Sequence, residues 1–574
     1  MKKKLLAVLL AAAMTLSLAA CGGETSASAS QEPTKTAESV ETSTEPATPA
    51  DTDQPDADGM LNGKFVETKH ISVELYDRAV DAGTDAGNNA WTQWIQQQML
   101  DLYNVEVEFV TVSRWDEVNA INNLLAAGDA PDICYTYSYD TILTYADMGG
   151  VTDLAPYLSQ YKDKLSNLWT LLGDANIYLD LDPSTGILWA IEGKRAETCR
   201  INTFVRQDWL DTLGLAAPTT KAEFEAMLVA FKDNAETLLG ADADKMVPYS
   251  VSYDIGWRAA TLIDSFMDPA ISDKELFVNG YDDRKLTQNG TKEAVRLLNK
   301  WYNAGLIWKD FAVYGSGDTT EDDMIKAGFV GAFTHNYDYP FRNGADSINA
   351  MLAATYGPQA KFVAVDCFED KNGGHTKYSY STAGDRKSFF PATNDEPLAS
   401  LLYLDFISDA KTIEFLQIGN EGVNHEVLDS GAIALISASE ENHDWYQNSG
   451  KNIDMTMTCN GLYLSTPELT TESLAYSYSN VDVADVKQAI AVASNDAVAP
   501  KDIFVGTIEA QAEAAGLNEK RDVIYDNAVV AAEADFDAVW DQGIAEYLAA
   551  GGQDIMDERL EKWEAKYGSA ENAN

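Results

Sequence analysis

Aromatic rings and planar hydrogen-bonding side chains follow the ends of several predicted strands in this 574-residue chain. Such rings can pack against the apolar faces of a small ligand, while carboxylate, amide and guanidinium groups bind its polar atoms. Because ligands in open α/β sheets lie beyond the carboxyl ends of the strands, we expect these residues to line a binding cleft. The candidate ligand-binding residues are Asp77, Arg78, Tyr137, Trp257, Arg258, His335, Asn336, Tyr337 and Asp338.

Residues 334–339 contain the densest group of these candidates, directly after the apolar segment 329–333. The apolar segment predicts a short strand. If the Tyr337 ring packs on a ligand, replacing it with Ala should weaken binding by about 1–3 kcal/mol and leave the fold intact. The alternative is that the ring packs in a core, where aromatic side chains are frequent.

Short signatures of catalysis, cofactor binding or metal binding do not occur in the sequence. The five His residues are scattered, and no zincin, nucleophile-elbow or phosphate-loop motif is present. The four cysteines after Cys21 are far apart and predict buried free thiols, with one long-range disulfide as the alternative. They are Cys134, Cys199, Cys367 and Cys459. We therefore predict a protein that is not an enzyme, with no catalytic residue, no cofactor and no bound metal.

The N-terminus has the pattern of an export signal. Three lysines precede an apolar run over residues 5–20, which is too short for a comfortable membrane span. The run ends in Leu-Ala-Ala directly before Cys21, which resembles the lipobox of bacterial lipoprotein signals. The resemblance implies a signal peptide over residues 1–20, cleavage before Cys21, and a lipid such as palmitate on its thiol.

The segment after Cys21 predicts a flexible tether. Residues 22–59 are rich in Ser, Thr, Pro and acidic residues and contain no aromatic ring, so they cannot bury enough apolar area to fold. We predict a lipid-anchored, disordered tether over residues 21–63. The formal net charge of −50 opposes binding to nucleic acid.

The body, residues 64–574, begins with alternating strands and helices. Residues 71–76 and 105–110 alternate apolar and polar side chains, as half-buried strands do. A helical pattern lies between them, another follows, and a third strand begins at Asp132. This order predicts an α/β lobe with a largely parallel sheet.

A second unit begins near residue 204. A strand end is followed by a short helix that stops at Gly214, and a capping box at Thr220 and Glu223 opens the next helix. After residue 395 helical patterns dominate, most clearly over 398–406, 412–419 and 529–566. A body of this length exceeds what one core usually serves, which predicts two lobes.

Four sequence blocks occur in a fixed order along the chain. LAAGDAPDI at 125–133 precedes RQDWLDTLGL at 206–215, which is followed by PTT at 218–220. AGFVG at 327–331 and NEGVNHE at 420–426 complete the series. Together these blocks resemble the carbohydrate-type extracellular solute-binding lipoproteins (family 1) of bacterial ABC importers. Asp208 can cap a helix and Trp209 can pack beneath it, so this block indicates fold more than ligand contact.

The resemblance implies an α/β, two-lobed periplasmic-binding-protein-like fold with a hinge, an interlobe cleft and a helix-rich C-terminal part. We predict lobe 1 near residues 64–180 and 310–380, and lobe 2 near 190–305 and 385–574. The implied function is capture of a sugar or oligosaccharide in the cleft and its delivery to ABC permease subunits. The implied location is the extracellular face of the cytoplasmic membrane, through the N-terminal lipid.

Other functions stay open: a receptor for a peptide or another polar solute, a surface glycan hydrolase, and a ligand-sensing partner of a membrane kinase. The sequence also departs from relatives that carry a calcium loop. Residues 240–248 keep only Asp242 and Asp244, next to Lys245, which are too few oxygen ligands to predict a calcium site.

Overall fold

The computed structural model describes residues 54–78, 85–282, 284–315, 318–381, 385–436, 454–464, 466–514 and 516–573. The predicted signal peptide, Cys21 and the predicted tether up to residue 53 lie outside the described residues.

The folded body begins before the predicted boundary at residue 64. Met60 and Phe65 are buried in a hydrophobic core. Lys164 forms ion pairs with Asp56 and Asp58 at 2.7 and 3.3 Å. Because these contacts fix residues 56–63 against the body, the last part of the predicted tether belongs to the fold.

Most of the strands are short. They are β1 (Met60–Leu61), β2 (Lys64–Phe65), β3 (Lys69–Asp77), β4 (Val105–Ser113), β5 (Cys134–Thr136), β6 (Ile191–Glu192), β7 (Lys194–Arg195), β8 (Ile201–Arg206), β9 (Val247–Ser250), β10 (Val330–Asn336), β11 (Phe362–Val365), β12 (Lys377–Tyr378), β13 (Lys387–Phe389), β14 (His425–Val427), β15 (Ile433–Leu435), β16 (Cys459–Asn460) and β17 (Ala497–Val498).

Helices account for more of the described chain than strands do. They are α1 (Ala90–Tyr103), α2 (Glu117–Ala127), α3 (Tyr139–Asp147), α4 (Ala155–Tyr161), α5 (Ser166–Ile177), α6 (Gln207–Leu213), α7 (Lys221–Asp233), α8 (Ala235–Leu239), α9 (Ile255–Arg258), α10 (Ala260–Asp264), α11 (Asp273–Asn279), α12 (Thr291–Asn303), α13 (Thr320–Lys326), α14 (Ile348–Tyr356), α15 (Pro397–Phe406), α16 (Ala410–Ile418), α17 (Pro467–Ala475), α18 (Val483–Ser494), α19 (Glu509–Glu513), α20 (Leu517–Val530), α21 (Phe536–Tyr547) and α22 (Gln553–Tyr567).

The predicted first α/β unit is present. β3 and β4 pair in parallel from Lys69↔Val105 to Asp77↔Ser113, and Ile133 adds a parallel bridge to β3. The connecting helix α1 begins after Asn89, whose side chain accepts hydrogen bonds from the first-turn backbone. The predicted strands over 71–76 and 105–110 are therefore confirmed.

The second sheet has the strand order β11-β8-β10-β9. β8 is antiparallel to β10 and β11, and β9 is parallel to β10. After β8, Trp209 is buried and meets the Phe231 ring edge-on at 5.2 Å. Asp208 does not cap α6, because both of its oxygens accept hydrogen bonds from Arg206, which also donates to the Gly328 carbonyl.

Two separate hydrophobic cores divide the body. The first core is built from residues 60–191 and 389–459, and the second from 204–368 and 474–573. This division corrects the predicted lobes: Phe333 and Phe362 belong to the second core, since β10 and β11 pair with β8. Leu401 and Leu416, which follow, return to the first core.

The chain passes between the two cores near residues 192–203, 369–388 and 460–473. Short strands join these crossing segments: β6 pairs with β13, and β7 pairs with β16. A connection of this kind, with several chain segments between two lobes, is where a hinge can form.

The helix-rich C-terminal part belongs to the second core, in which Trp540 and Trp563 are buried. The predicted helical stretch over 529–566 is divided by a break after Val530 and by a π-helical segment at Leu548–Gly552, where Gly551 has a φ of 122°. No helix among the described residues is long and apolar enough to cross a membrane.

Candidate functional site

A cavity of about 890 Å³ lies between residues of the first and second cores. Its volume falls in the range of small-molecule sites. One side is formed by residues that follow β5 and α5, and the other by the loop over 503–508 and helices α19 to α22. Its aromatic lining residues are Tyr137, Tyr139, Phe277, Tyr281, Phe504 and Tyr547. We refer to this cavity as the cleft.

The charged residues that line the cleft are balanced in sign. Its acids are Asp140, Asp180, Glu192 and Asp282, and its bases are Arg284, Lys387, Arg521 and Arg559. The cleft therefore combines ring faces with groups that donate and accept hydrogen bonds.

Asp180, Glu192 and Lys387 form the most buried charged group in the lining, which we call the buried triad. They are 5%, 2% and 8% exposed. Glu192 on β6 and Lys387 on β13 are opposite each other in the antiparallel ladder. The Lys387 ammonium lies 3.0 and 3.2 Å from the two carboxylate oxygens of Glu192.

The two carboxyl groups of the triad have raised pKa values. Burial raises the pKa of Asp180 to about 6 and raises the pKa of Glu192 well above its usual range, although Lys387 opposes both changes. Oδ2 of Asp180 is buried and has no hydrogen-bond partner among the described residues. Both carboxyl groups therefore hold their protons more tightly than they would in water, because burial disfavours the charged form.

A chain of hydrogen bonds connects the two sides of the cleft. Arg559 donates to Oε1 of Gln511 at 3.2 Å, and Nε2 of Gln511 donates to Asp140 on α3 at 2.8 Å. Beside this chain, the Tyr139 and Phe504 rings meet edge-on at 5.9 Å. Burial lowers the pKa of Arg559 to about 10 and raises that of Asp140.

Among the residues predicted from the sequence, Tyr137 lines the cleft. The Arg114 guanidinium lies 4.7 Å from its ring centroid, and Arg78 donates to its hydroxyl at 3.3 Å. Arg78 itself is paired with the buried carboxylate of Asp454. Asp77 is exposed at the end of β3.

Trp257 lies beside the cleft lining, and neither Trp257 nor Arg258 is among the residues that line the cleft. The Trp257 ring contacts the guanidinium groups of Arg200 and Arg284 at 4.9 and 5.1 Å, and Arg284 lines the cleft. Arg258 forms an ion pair with Glu321 at 2.8 Å. Its Nη1 is buried and has no hydrogen-bond partner among the described residues.

His335 and Asn336 belong to β10 and do not follow it. The strand is longer than predicted because both residues pair with β8. The His335 ring is stacked on Tyr339 at 3.5 Å, and burial lowers its pKa well below the usual range. Oδ1 of Asn336 is buried and lacks a partner within the described part of the chain.

Tyr337 and Asp338 are engaged with their own neighbours. Tyr337 is 2% exposed and belongs to the second core. Its hydroxyl lies 3.3 Å from that of Tyr478, which donates to Asp338 at 3.0 Å. Arg342 donates two hydrogen bonds to Asp338. The Tyr337 ring is therefore packed in a core and does not present a face to the cleft, contrary to the sequence-based expectation.

The sequence gives little signal for the buried triad. Its members are separated by up to about 200 positions in a chain with 91 acidic residues, and they meet only because β6 pairs with β13. In contrast, the position of Tyr137 directly after the third strand predicts that it lies at the edge of a cleft.

The four cysteines are free, and all except Cys199 are buried. No group of three or more His, Cys, Asp or Glu side chains in the described ranges is placed to hold a metal ion. Asp242, of the residual calcium-loop pattern, forms an ion pair with Lys245 at 2.8 Å.

Two lobes with separate cores, crossing segments between them and a polar cleft define the class of two-lobed solute-binding proteins. Residues 90–413 match the family described as bacterial extracellular solute-binding protein. This match covers more than half of the chain, which therefore belongs to that family. The resemblance seen in the sequence is confirmed at this level.

A curated relative is Lipoprotein LipO of Bacillus subtilis (strain 168), which is 24% identical over 334 residues. The match covers 57% of this chain and 62% of LipO, less than two thirds of that protein.

Solved structures of solute-binding proteins have the same fold. Alginate-binding protein AlgQ2 without calcium ion matches with a TM-score of 0.62 and 15% identity, over 87% of this chain and 98% of that chain. The S. pneumoniae ABC-transporter substrate binding protein FusA, in complex with kestose, matches with a TM-score of 0.62 and 14% identity, over 88% and 100%. The HMO binding ABC-transporter associated solute-binding protein from Bifidobacterium longum infantis matches with a TM-score of 0.57 and 15% identity, over 87% and 99%.

Proposed function

We propose that this protein captures a sugar or oligosaccharide in the cleft and delivers it to the permease of an ABC importer. The observation that carries the proposal is the lining of the cleft, which combines six aromatic rings with four acidic and four basic side chains. Rings suit the apolar faces of sugars, and the polar groups suit their hydroxyls. The names of the structural neighbours, which refer to alginate, kestose and HMO, support a saccharide.

The pairing of Glu192 supports binding and not hydrolysis. Glycosidases use two carboxyl groups, about 5–10 Å apart, as acid and as base or nucleophile. Glu192 is instead ion-paired at 3.0 Å with Lys387 on the facing strand. A carboxylate held by an ammonium group is less available as the acid or nucleophile of a hydrolase.

A thermal-shift screen of mono- and oligosaccharides, with peptides as a second arm, tests the proposal. A ligand that binds only the native state raises the melting temperature. We expect a saccharide to raise it and to be recovered chemically intact after incubation. Stabilisation by peptides alone would contradict the saccharide proposal, and release of shorter sugars would favour the hydrolase.

The membrane anchor is part of the same proposal. The lipobox before Cys21 and the name of the relative LipO support a lipid-anchored protein at the extracellular face of the membrane. Because acyl chains would supply most of the attachment, Cys21→Ala should move the protein from the membrane fraction to the soluble fraction. Cys199→Ala is the matched control and should leave the protein in the membrane fraction. If the Cys21→Ala variant also stays in the membrane fraction, the lipobox interpretation is wrong.

A further inference from the structure

We propose that the cleft selects neutral saccharides over uronates, and that the buried triad is the anchor that binds sugar hydroxyls. This inference rests on the proposed function, since it names the kind of saccharide that the same cleft takes.

The first argument is that the bases of the cleft are already engaged by protein groups. Arg284 donates to Asp254 at 2.7 and 3.0 Å. Arg521 lies 3.3 Å from Asp282 and 2.8 Å from Asp522. A uronate carboxylate would have to compete with these protein carboxylates for the guanidinium groups of Arg284 and Arg521, because buried charges need partners of opposite sign.

Arg559 is engaged differently, by neutral groups. It donates to the Phe277 carbonyl at 2.8 Å and to Gln511, and its guanidinium lies 3.9 Å from the Phe277 ring centroid. The side-chain amide nitrogen of Gln511 in turn donates a hydrogen bond to Asp140. Neutral protein acceptors and the Phe277 ring therefore hold the guanidinium of Arg559 in place without an anionic partner.

The second argument is the charge of the buried triad. The triad holds two carboxyl groups and a single ammonium, which is paired with Glu192, and Oδ2 of Asp180 is buried without a hydrogen-bond partner among the described residues. A sugar hydroxyl can donate to this oxygen without adding charge to the group. A ligand carboxylate would add a third carboxyl to the same group and would be repelled.

The experiment compares ligands that differ only in charge. Titration calorimetry on the full-length mature protein would use mannose oligomers against mannuronate oligomers, and galactose oligomers against galacturonate oligomers, of equal length. We expect at least one neutral series to bind, and each uronate counterpart to bind at least tenfold more weakly. Tighter binding of a uronate would overturn this inference while leaving the saccharide function intact. If no saccharide of any charge binds, the proposed function fails as well.

Variants of Asp180 test the anchor. Asp180→Ala should weaken the neutral ligand at least tenfold, whereas Asp180→Asn, whose amide can still donate and accept, should stay within about threefold of the parent. Asp174→Ala, an exposed acid of the same lobe outside the cleft, is the control and should bind normally.

A role of Asp180 in stability alone would lower the melting temperature without this separation between Ala and Asn. Circular dichroism and melting temperatures should therefore accompany each titration. Equal affinity of the Ala and Asn variants, both folded, would remove Asp180 from the anchor.

Discussion

Tyr337 and Tyr137 follow strands in different lobes, and each stands among charged and aromatic side chains. Around Tyr337, the hydroxyl of Tyr478 and the guanidinium of Arg342 satisfy the neighbouring carboxylate of Asp338, and the ring is buried. Around Tyr137, the lining opens onto about 890 Å³ of space. The same residue types thus build a closed structural cluster in one place and part of a ligand cleft in the other.

The two regions contain similar residue types and differ in which groups those residues are paired with. A polar group that is paired by its own neighbours stabilises the fold, whereas one that faces an unfilled cavity can pair with a ligand. The predictions below test whether this distinction holds for these two regions.

The largest effect is expected for Tyr337→Ala. Removing a ring from the second core should lower the free energy of unfolding by about 3–5 kcal/mol, because the transfer free energy is lost and a cavity is left. The affinity of the remaining folded protein for ligand should be nearly unchanged. Chemical denaturation and titration calorimetry measure the two quantities, and a large loss of affinity with normal stability would return Tyr337 to the binding site.

The next effect concerns pH, because both regions contain a carboxyl group with a raised pKa. Desolvation raises the pKa of Glu197, beside Tyr337, to about 7, and that of Asp180 to about 6. A carboxyl that holds its proton more tightly when folded stabilises the protein at low pH, and this contribution disappears as the pH rises through the folded-state pKa. The free energy of unfolding should therefore fall between about pH 4 and pH 7, by up to about 3 kcal/mol for each group.

Asp180→Asn and Glu197→Gln should each reduce this pH dependence, measured by denaturation at a series of pH values. The charged groups around Asp180 include Glu192, Lys387 and Asp502. The change in unfolding free energy with pH near this site therefore reports the titration of the whole group and not of Asp180 alone. Bound ligand should alter the part of the pH dependence of stability that is due to Asp180, and should not change the part that is due to Glu197. If ligand changes both alike, the comparison between a closed cluster and a cleft fails.

A smaller and opposite pattern is expected for Tyr137→Ala. Its ring lines the cleft, so its loss should weaken ligand binding by about 1–3 kcal/mol, with a smaller effect on stability than Tyr337→Ala. Tyr137→Phe is the control that keeps the ring and removes only the hydroxyl contact with Arg78. Affinity that is unaffected by Tyr137→Ala would mean that the ligand does not reach this part of the cleft.

The smallest effect is expected for Gln511→Ala. It removes the hydrogen bond that joins the two sides of the cleft through Asp140, worth about 1 kcal/mol. We expect a more open ligand-free form, seen as a larger radius of gyration in small-angle X-ray scattering. Gln542→Ala, an exposed glutamine bonded within its own helix, should not change it. Identical scattering from both variants would show that this bond does not hold the cleft closed.

Local patterns in the sequence determined much of the secondary structure. The alternation over 71–76 and 105–110 became β3 and β4, since a strand with one buried face needs that period. The capping-box pattern marks the start of α7, where the Thr220 side chain accepts a hydrogen bond from the Glu223 backbone. Gly214 ends α6 with a φ of 65°, a conformation that glycine adopts without strain. The four sequence blocks were enough to indicate the family, because both their residues and their order along the chain can be read from the sequence.

Tertiary structure alone decided which side chains meet. The sequence placed residues 330–365 in the wrong lobe because strand pairing between distant segments has no local signature. For the same reason it missed the buried triad, which β6 and β13 assemble from residues 180, 192 and 387. It could identify Tyr137 and Tyr337 as rings after strands, but only the packing around each ring determined that one faces the cleft and the other fills a core.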